Sequence, residues 1–430
     1  MKPMRVLTIL TVVAAFANPV VRAQTTNIFT PAGGSTNWHD DDNWSLNLTP
    51  TFEHDVEIPT TLTCIISTDD GEANTVRVSG FATLGVEGGH SLTIDGANAL
   101  GTVNSLRVQS PLGKLYFKED AQQNPAELLF NPSVSGLVYT ISDGGTVTAE
   151  SASGYGAGRI ARAVARSITL RIASGTTVKG ELEFDSLAID NNGLILVDGS
   201  DTLTFGAFAS PNFGGSGTYK VNGANATMTF SDARVSGCGT YEVINGIMEL
   251  VDLTANPVLG NHTITIDGGT FTSDADLRLE NSDVTIDNDG SMNITGNLVV
   301  QENGPTASTV TIEDGTLDVS GQLRVRKSSV TIKAGLLDTN TVDSDDSTLA
   351  IQGGIFKAAG TFFSDFDTIT LSGGELELNG AYTGCFTVFT ITGGTLDVNE
   401  NFSNAGSFVT DSSFKNATIT VAANKTATFE

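Results

Sequence analysis

Apolar residues alternate with polar ones at a period of two along most of this chain, and from residue 263 onward the alternation recurs in a fixed frame. Thr263-Ile-Thr-Ile-Asp-Gly-Gly-Thr-Phe271 returns as Thr309-Val-Thr-Ile-Glu-Asp-Gly-Thr-Leu317, Ser329-Val-Thr-Ile-Lys-Ala-Gly-Leu-Leu337 and Thr348-Leu-Ala-Ile-Gln-Gly-Gly-Ile-Phe356. It continues through Thr368-Ile-Thr-Leu-Ser-Gly-Gly-Glu-Leu376 and Val388-Phe-Thr-Ile-Thr-Gly-Gly-Thr-Leu396, with a looser copy at Asp283-Val-Thr-Ile-Asp-Asn-Asp-Gly290. The aligned glycines Gly269, Gly290, Gly315, Gly335, Gly354, Gly374 and Gly394 are spaced by 21, 25, 20, 19, 20 and 20 residues. Period two puts alternate side chains on opposite faces of a strand, and a repeat of about 20 residues marks a solenoid.

Each repeat holds two or three short strands rich in Thr, Val and Ile, which suit a pleated surface. The glycines sit where the chain turns a corner, where positive φ is expected. One repeat cannot bury its own apolar face; stacking equivalent coils in parallel does. The pattern therefore predicts an all-β, right-handed parallel β-helix of about 20 residues per coil. Helical repeats are excluded by the absence of a 3.6-residue apolar period, and the Leu-x-x-Leu-x-Leu signature of leucine-rich repeats is missing. The 25-residue spacing places a protruding loop at 301–308, Gln-Glu-Asn-Gly-Pro-Thr-Ala-Ser.

Before residue 263 the same chemistry returns with variable spacing, as in Ser91-Leu-Thr-Ile-Asp-Gly96, Ile141-Ser-Asp-Gly-Gly-Thr-Val147, Leu187-Ala-Ile-Asp-Asn-Asn-Gly193 and Tyr241-Glu-Val-Ile-Asn-Gly246. This divides the chain into less regular coils at 63–262 and regular coils at 263–430. Residues 151–166, with Arg159, Arg162 and Arg166, break the frame and are expected as a short amphipathic helix or a loop beside a coil.

The two ends differ. Residues 24–62 read as an N-terminal cap: Asn37-Trp-His-Asp-Asp-Asp-Asn-Trp44, Pro50 and Asp55-Val-Glu-Ile-Pro59 interrupt the repeat and bring together Trp38 and Trp44, the only tryptophans. Two large aromatic rings can plug the open end of a first coil. Ala417 to Glu430, in contrast, is still in strand language where the sequence stops. Either the sequence is truncated there, or the last coil accepts a strand from a partner, and head-to-tail addition that does not close gives a filament.

Charge narrows the function. Lys and Arg number 22 against 49 Asp and Glu, a formal charge of -27, which opposes nucleic-acid binding. Lys2 and Arg5, the apolar run Val6–Phe16 and Val21-Arg22-Ala23 read as a secretory signal over residues 1–23. No later stretch is apolar enough to span a membrane. The mature product is expected to be secreted, extracellular or at a cell surface. Cys64, Cys238 and Cys385 fit no metal spacing and are expected as small core residues, with one disulfide between two of them as the alternative.

Candidate chemistry is sparse. Asp40, Asp41 and Asp42 are the candidate ligands for Ca2+, the one cofactor the sequence suggests, against a reading as solvated turn. Asp69-Asp70-Gly71 and Asp343 to Asp346 are likewise expected as solvated turns. Trp38 and Trp44 could instead stack on a sugar ring. Arg324 and Arg326 share a strand face, either facing an acidic polymer or pairing with carboxylates of adjacent coils. His39, His54, His90 and His262 form no catalytic motif, and no pair of acidic residues stands out as a hydrolase pair. Glycosylation sequons fall at Asn43, Asn47, Asn225, Asn261, Asn293, Asn401, Asn416 and Asn424.

The Trp38-x5-Trp44 segment, leading through Pro50 and Asp55-Val-Glu-Ile-Pro59 into Thr-Ile-x-x-Gly-Gly-x-Leu coils, resembles exported bacterial parallel β-helix surface proteins. That class includes autotransporter passengers and adhesins. The resemblance implies a surface or matrix protein; with no translocator barrel expected in this sequence, release or assembly into an extracellular fibre or matrix fits better. The expected function is an exported structural protein that forms or decorates an extracellular filament, surface layer or adhesive matrix, with end-to-end self-association and extracellular polysaccharide as the expected partners. The alternative is a polysaccharide-active β-helix enzyme, a lyase or glycoside hydrolase, or a carbohydrate-binding adhesin.

Overall fold

A computed structural model describes residues 25–31, 34–96, 105–109, 114–118, 125–150, 158–206, 212–231, 234–235, 239–251, 257–410 and 417–429. The signal segment 1–23, Cys238 and Asn416 lie outside these residues. The chain is an all-β parallel solenoid of about 15 turns with about 21 residues per turn, 62% of it strand. At ~4.8 Å per ladder step, that is a rod roughly 70 Å long. Among the described residues no helix is long and apolar enough to cross a membrane.

Each turn contributes a strand to each of three faces. Early in the rod these are His54–Ile58, Thr63–Ile66 and Gly71–Ala73, pairing in parallel with Thr75–Val78, Thr83–Glu87 and Ser91–Ile94 of the next turn. In the regular half the first and third faces merge at corners into long strands such as Gly315–Arg326 and Leu336–Asp345.

Register explains the alternation. On the second face Ile264, Val284, Val310, Val330, Leu349, Ile369 and Phe389 stack in one inward row, every one of them buried. Their outward neighbours Thr265, Thr285, Thr311 and Thr331 form a parallel row of hydroxyls. Burying each Val, Ile or Leu contributes about 1.5–3 kcal/mol, a gain repeated on every face at each step. One core runs without interruption from Phe29 to Phe402.

The corner entering the second face carries a second repeated device. Asn261, Asn281, Lys327, Asp346, Phe366 and Phe386 hold positive φ of 46 to 60°. The residue after each turns a polar side chain inward. The backbone N–H groups of His262, Ser282, Ser308, Ser328 and Ser347 donate to the side-chain oxygens of Ser282, Ser308, Ser328, Ser347 and Asp367 at 3.0, 3.1, 3.3, 3.4 and 2.8 Å. A buried amide that the corner would orphan is thereby satisfied by the next coil.

The glycine frame needs one correction. Gly335, Gly354, Gly374 and Gly394 do hold positive φ, from 65 to 83°. Gly269, Gly290 and Gly315 do not; the left-handed positions nearby belong to Gly268 and to Asn288 and Asp289. These three are glycine for proximity: a methyl would lie 2.7 Å from Val243 Cγ1 at Gly269, 2.7 Å from the Ile266 carbonyl oxygen at Gly290, and 2.5 Å from that of Gly290 at Gly315. Residues 158–162 correct a second expectation. Gly158–Arg162 is a strand with Ile160 inward and Arg159 outward, between Glu127 and Glu183 of the adjacent coils. Arg159 follows strand alternation, whereas Arg162, beyond the buried Ala161, departs from it. The loop at 301–308 protrudes as expected, with residues 303–307 exposed.

Candidate functional site

The N-terminal end of the rod is closed by side chains. Trp38 and Trp44 are fully buried, their rings 4.9 Å apart at 73°, and the Trp44 indole Nε1–H donates to the Trp38 carbonyl at 2.6 Å. Phe29 packs edge-on to Trp44 at 5.1 Å. Burial takes both tryptophans out of reach of a sugar, so the plug is the role their geometry serves. Around them parts of the first coil's strand edges are occupied. Ile28 receives the Ser45 N–H at 2.8 Å and donates to Ser45 Oγ at 2.9 Å, while Trp38 N–H donates to the Ile65 carbonyl and Ile65 N–H to that of Thr36. An unpaired edge is an invitation to aggregation, and here it is blunted.

The acidic triplet serves the same cap. Asp40 accepts the Asp42 N–H at the start of a single 3-10 turn, Asp41–Asn43. Asp41 accepts both the N–H and the hydroxyl of Thr49, at 2.6 and 2.7 Å, which lowers its pKa. Among the described residues no group of three or more His, Cys, Asp or Glu is arranged to hold a metal ion. Asp343 is no solvated turn: it lies in Leu336–Asp345 and takes Arg324 at 3.1 Å and Arg326 at 2.7 Å. Both arginines therefore pair with the neighbouring coil.

Among the sequons, Asn47, Asn225, Asn261, Asn401 and Asn424 are exposed and Asn293 is half-buried. Asn43 is corrected as a glycan acceptor, because it is buried with its amide donating to Ser35 Oγ and the Asn37 carbonyl. Cys64 is buried and Cys385 partly so, both as free thiols.

At the other end, Ala417–Val421 pairs with Gly394–Val398 and Ala427–Phe429 with Phe402–Thr410, and among the described residues neither has a partner on its second edge. Val421 is exposed there, whereas Val398, one turn earlier in the same row, is buried.

The feature that sequence reasoning missed is a groove of about 780 Å³ across the outer second face, its lining including Thr83, Lys114, Tyr116, Lys179, Asp198 and Asp201. Register builds it: Thr83, Lys114 and Thr146 form one outward row, and Gly85, Tyr116, Thr148 and Lys179 the next. A methyl at Gly85 would lie 2.5 Å from the Tyr116 ring, so the missing side chain lets that ring lie across the preceding coil. Lys179 Nζ stands 4.0 Å from Asp198. Burial raises the Asp201 carboxyl above its ordinary range, the Asp198 charge adds to this, and Lys179 opposes it. A glycine inside a strand pattern was the one available signal, since it marks a close approach.

No family model, curated protein or solved structure matches this chain.

Proposed function

We propose that the mature chain is an exported structural protein, a rod that forms or decorates an extracellular filament, surface layer or adhesive matrix. The observation that carries this reading is the uniform stacking of the coils behind the Trp38–Trp44 plug: on the second face the inward row from Ile264 to Phe389 and the outward threonine row repeat from coil to coil in register. A strand edge of such a coil takes a parallel strand with the same register, and a strand from another copy would extend the rod. The regular threonine rows between the ends, the net charge of -27 and the repeat's resemblance to exported β-helix surface proteins fit a spacer that stays soluble along its sides.

Negative-stain electron microscopy of residues 24–430, with and without Ca2+, tests this against a variant lacking 417–430. Filaments or end-to-end chains that disappear on truncation support strand addition. Isolated rods in every condition overturn it.

A second reading, that the rod binds carbohydrate or acts on it, is favoured by the groove on the second face. If it is an enzyme, Asp198 and Asp201 are its candidate carboxylates. Incubating the protein with polysaccharides and measuring reducing ends and unsaturated products tests that reading.

A further inference from the structure

Most outward basic side chains on this rod pair with a carboxylate of the adjacent coil; Arg278, which takes Glu280 of its own strand, and Arg166, which takes the Pro132 and Ser133 carbonyls, do not. Arg77 stands in register with Glu57, Arg171 with Asp190, Lys220 with Glu242, Arg324 with Asp343, and Lys357 between Asp338 and Glu377. Arg159 bridges Glu127 and Asp185. In a chain this acidic such pairing is easily met, so departures from it are informative.

Two departures fall in the same groove. Lys114 is exposed, stands in register between Thr83 and Thr146, and has no ion-pair partner among the described residues. Lys179 stands between Thr148 and Leu196 and reaches Asp198 only at 4.0 Å. They lie two ladder steps apart along the rod, roughly 10 Å. Along the rod axis the Tyr116 ring, laid over Gly85, comes first, then Lys114, then Thr146 on the coil between the two lysines.

We propose that this groove binds an extended uronic-acid polysaccharide, with its chain parallel to the rod axis. The ladder step is close to the rise of one sugar residue in an extended chain, so successive coils meet successive sugars. Tyr116 offers a flat face to a ring, Thr83 and Thr146 exchange hydrogen bonds with sugar hydroxyls, and Lys114 and Lys179 take the carboxylates of alternate residues as charge-assisted pairs. Asp198 and Asp201 set one limit of the site and repel a chain that carries charge beyond it. An extended peptide fits poorly, because a sheet face offers no free backbone edge and this groove is lined chiefly by Thr, Lys and Asp rather than by apolar side chains. The net charge of -27 argues against nucleic acid. The site does not depend on whether the rods polymerise.

The test is isothermal titration of residues 24–430 with oligogalacturonate, a neutral oligosaccharide of equal length, and dextran sulfate, repeated for Lys114→Gln, Lys179→Gln and Tyr116→Ala. All three positions face outward, and an unchanged melting temperature checks that each variant folds. The expected result is binding to oligogalacturonate that weakens with salt and falls by roughly tenfold with either lysine change. Tyr116→Ala should weaken it as well. The proposal is overturned if oligogalacturonate does not bind, if the neutral chain binds as well, or if dextran sulfate binds equally, since the site would then read charge alone. Binding that survives both lysine changes overturns it too.

Discussion

The backbone N–H of Ser347 donates to Oδ1 of Asp367 at 2.8 Å, so a carboxylate stands where the preceding coils place serines. Asp367 is buried, and its Oδ2 accepts the Ser364 hydroxyl at 2.6 Å. Burial raises its pKa; hydrogen bonds from Ser364, Ser347 and Ser344 oppose the rise, and the charge of Asp345 adds to it.

A carboxyl whose pKa is higher folded than unfolded favours the fold most in its protonated form. Its contribution is complete below the ordinary value of 3.8 and is lost as pH rises through the folded value. Asp367→Asn should therefore melt higher than the parent at neutral pH, and the difference should close below about pH 4. Thermal unfolding monitored by circular dichroism at both ends of that range checks it. A variant equally destabilised at both would show that the hydrogen bonds outweigh the charge.

The Trp38–Trp44 plug leads to a prediction about where stability is lost. Trp44→Ala should cost about 3–5 kcal/mol, as for other large aromatic core side chains. In a solenoid each coil contacts only its neighbours, so the loss should stay near the N-terminal end. Hydrogen exchange should show reduced protection over Thr25–Ile28, His54–Ile58 and Thr63–Ile66, with the coils after residue 263 unchanged. Uniform loss of protection would contradict the local role.

Glycines of the frame should differ sharply from those of loops. Gly374 has φ of 68°, and a methyl there would overlap the Gly354 carbonyl oxygen, whereas Gly304 has φ of 99° with nothing within 4 Å. Gly374→Ala adds a steric clash with the coil below to backbone strain and should cost about 2 kcal/mol or more, against about 1 kcal/mol for Gly304→Ala. Urea unfolding of the two variants measures the difference.

What the sequence disclosed follows from this same periodicity. The seven-glycine frame, the apolar rows and the loop at 301–308 were legible because the register from residue 263 is nearly constant, so spacing along the chain equals position on the rod. The tryptophan plug was legible because it broke that frame. The groove was not, since Thr83, Lys114, Thr146 and Lys179 sit on coils of unequal length, and only the ladder pairings place them in adjacent rows. Nor was the strand at Gly158–Arg162, where Arg159, Arg162 and the later Arg166 suggested a short helix or a loop beside a coil and hid the inward Ile160. The left-handed corner was hidden for another reason. Asn261 and Asn281 are ordinary residues for it, but Lys327, Phe366 and Phe386 are not.

Those two phenylalanines yield the last prediction. Phe366 and Phe386 are 58% and 67% exposed, hold φ of 53 and 54°, and stack with centroids 4.9 Å apart at 13°. Asn occupies the same corner in earlier coils and tolerates the left-handed backbone better, so Phe→Asn should relieve about 1 kcal/mol of strain at each site. Either single change also loses the stacking contact, worth about 0.5–1.5 kcal/mol, and should be nearly neutral. The double variant relieves strain twice but loses the stack only once, so it should gain about 1 kcal/mol over the parent. Urea unfolding of the four proteins closes the cycle. A double variant equal to the sum of the singles would mean that the rings do not stabilise one another, and one less stable than the parent would mean that the corner is not strained.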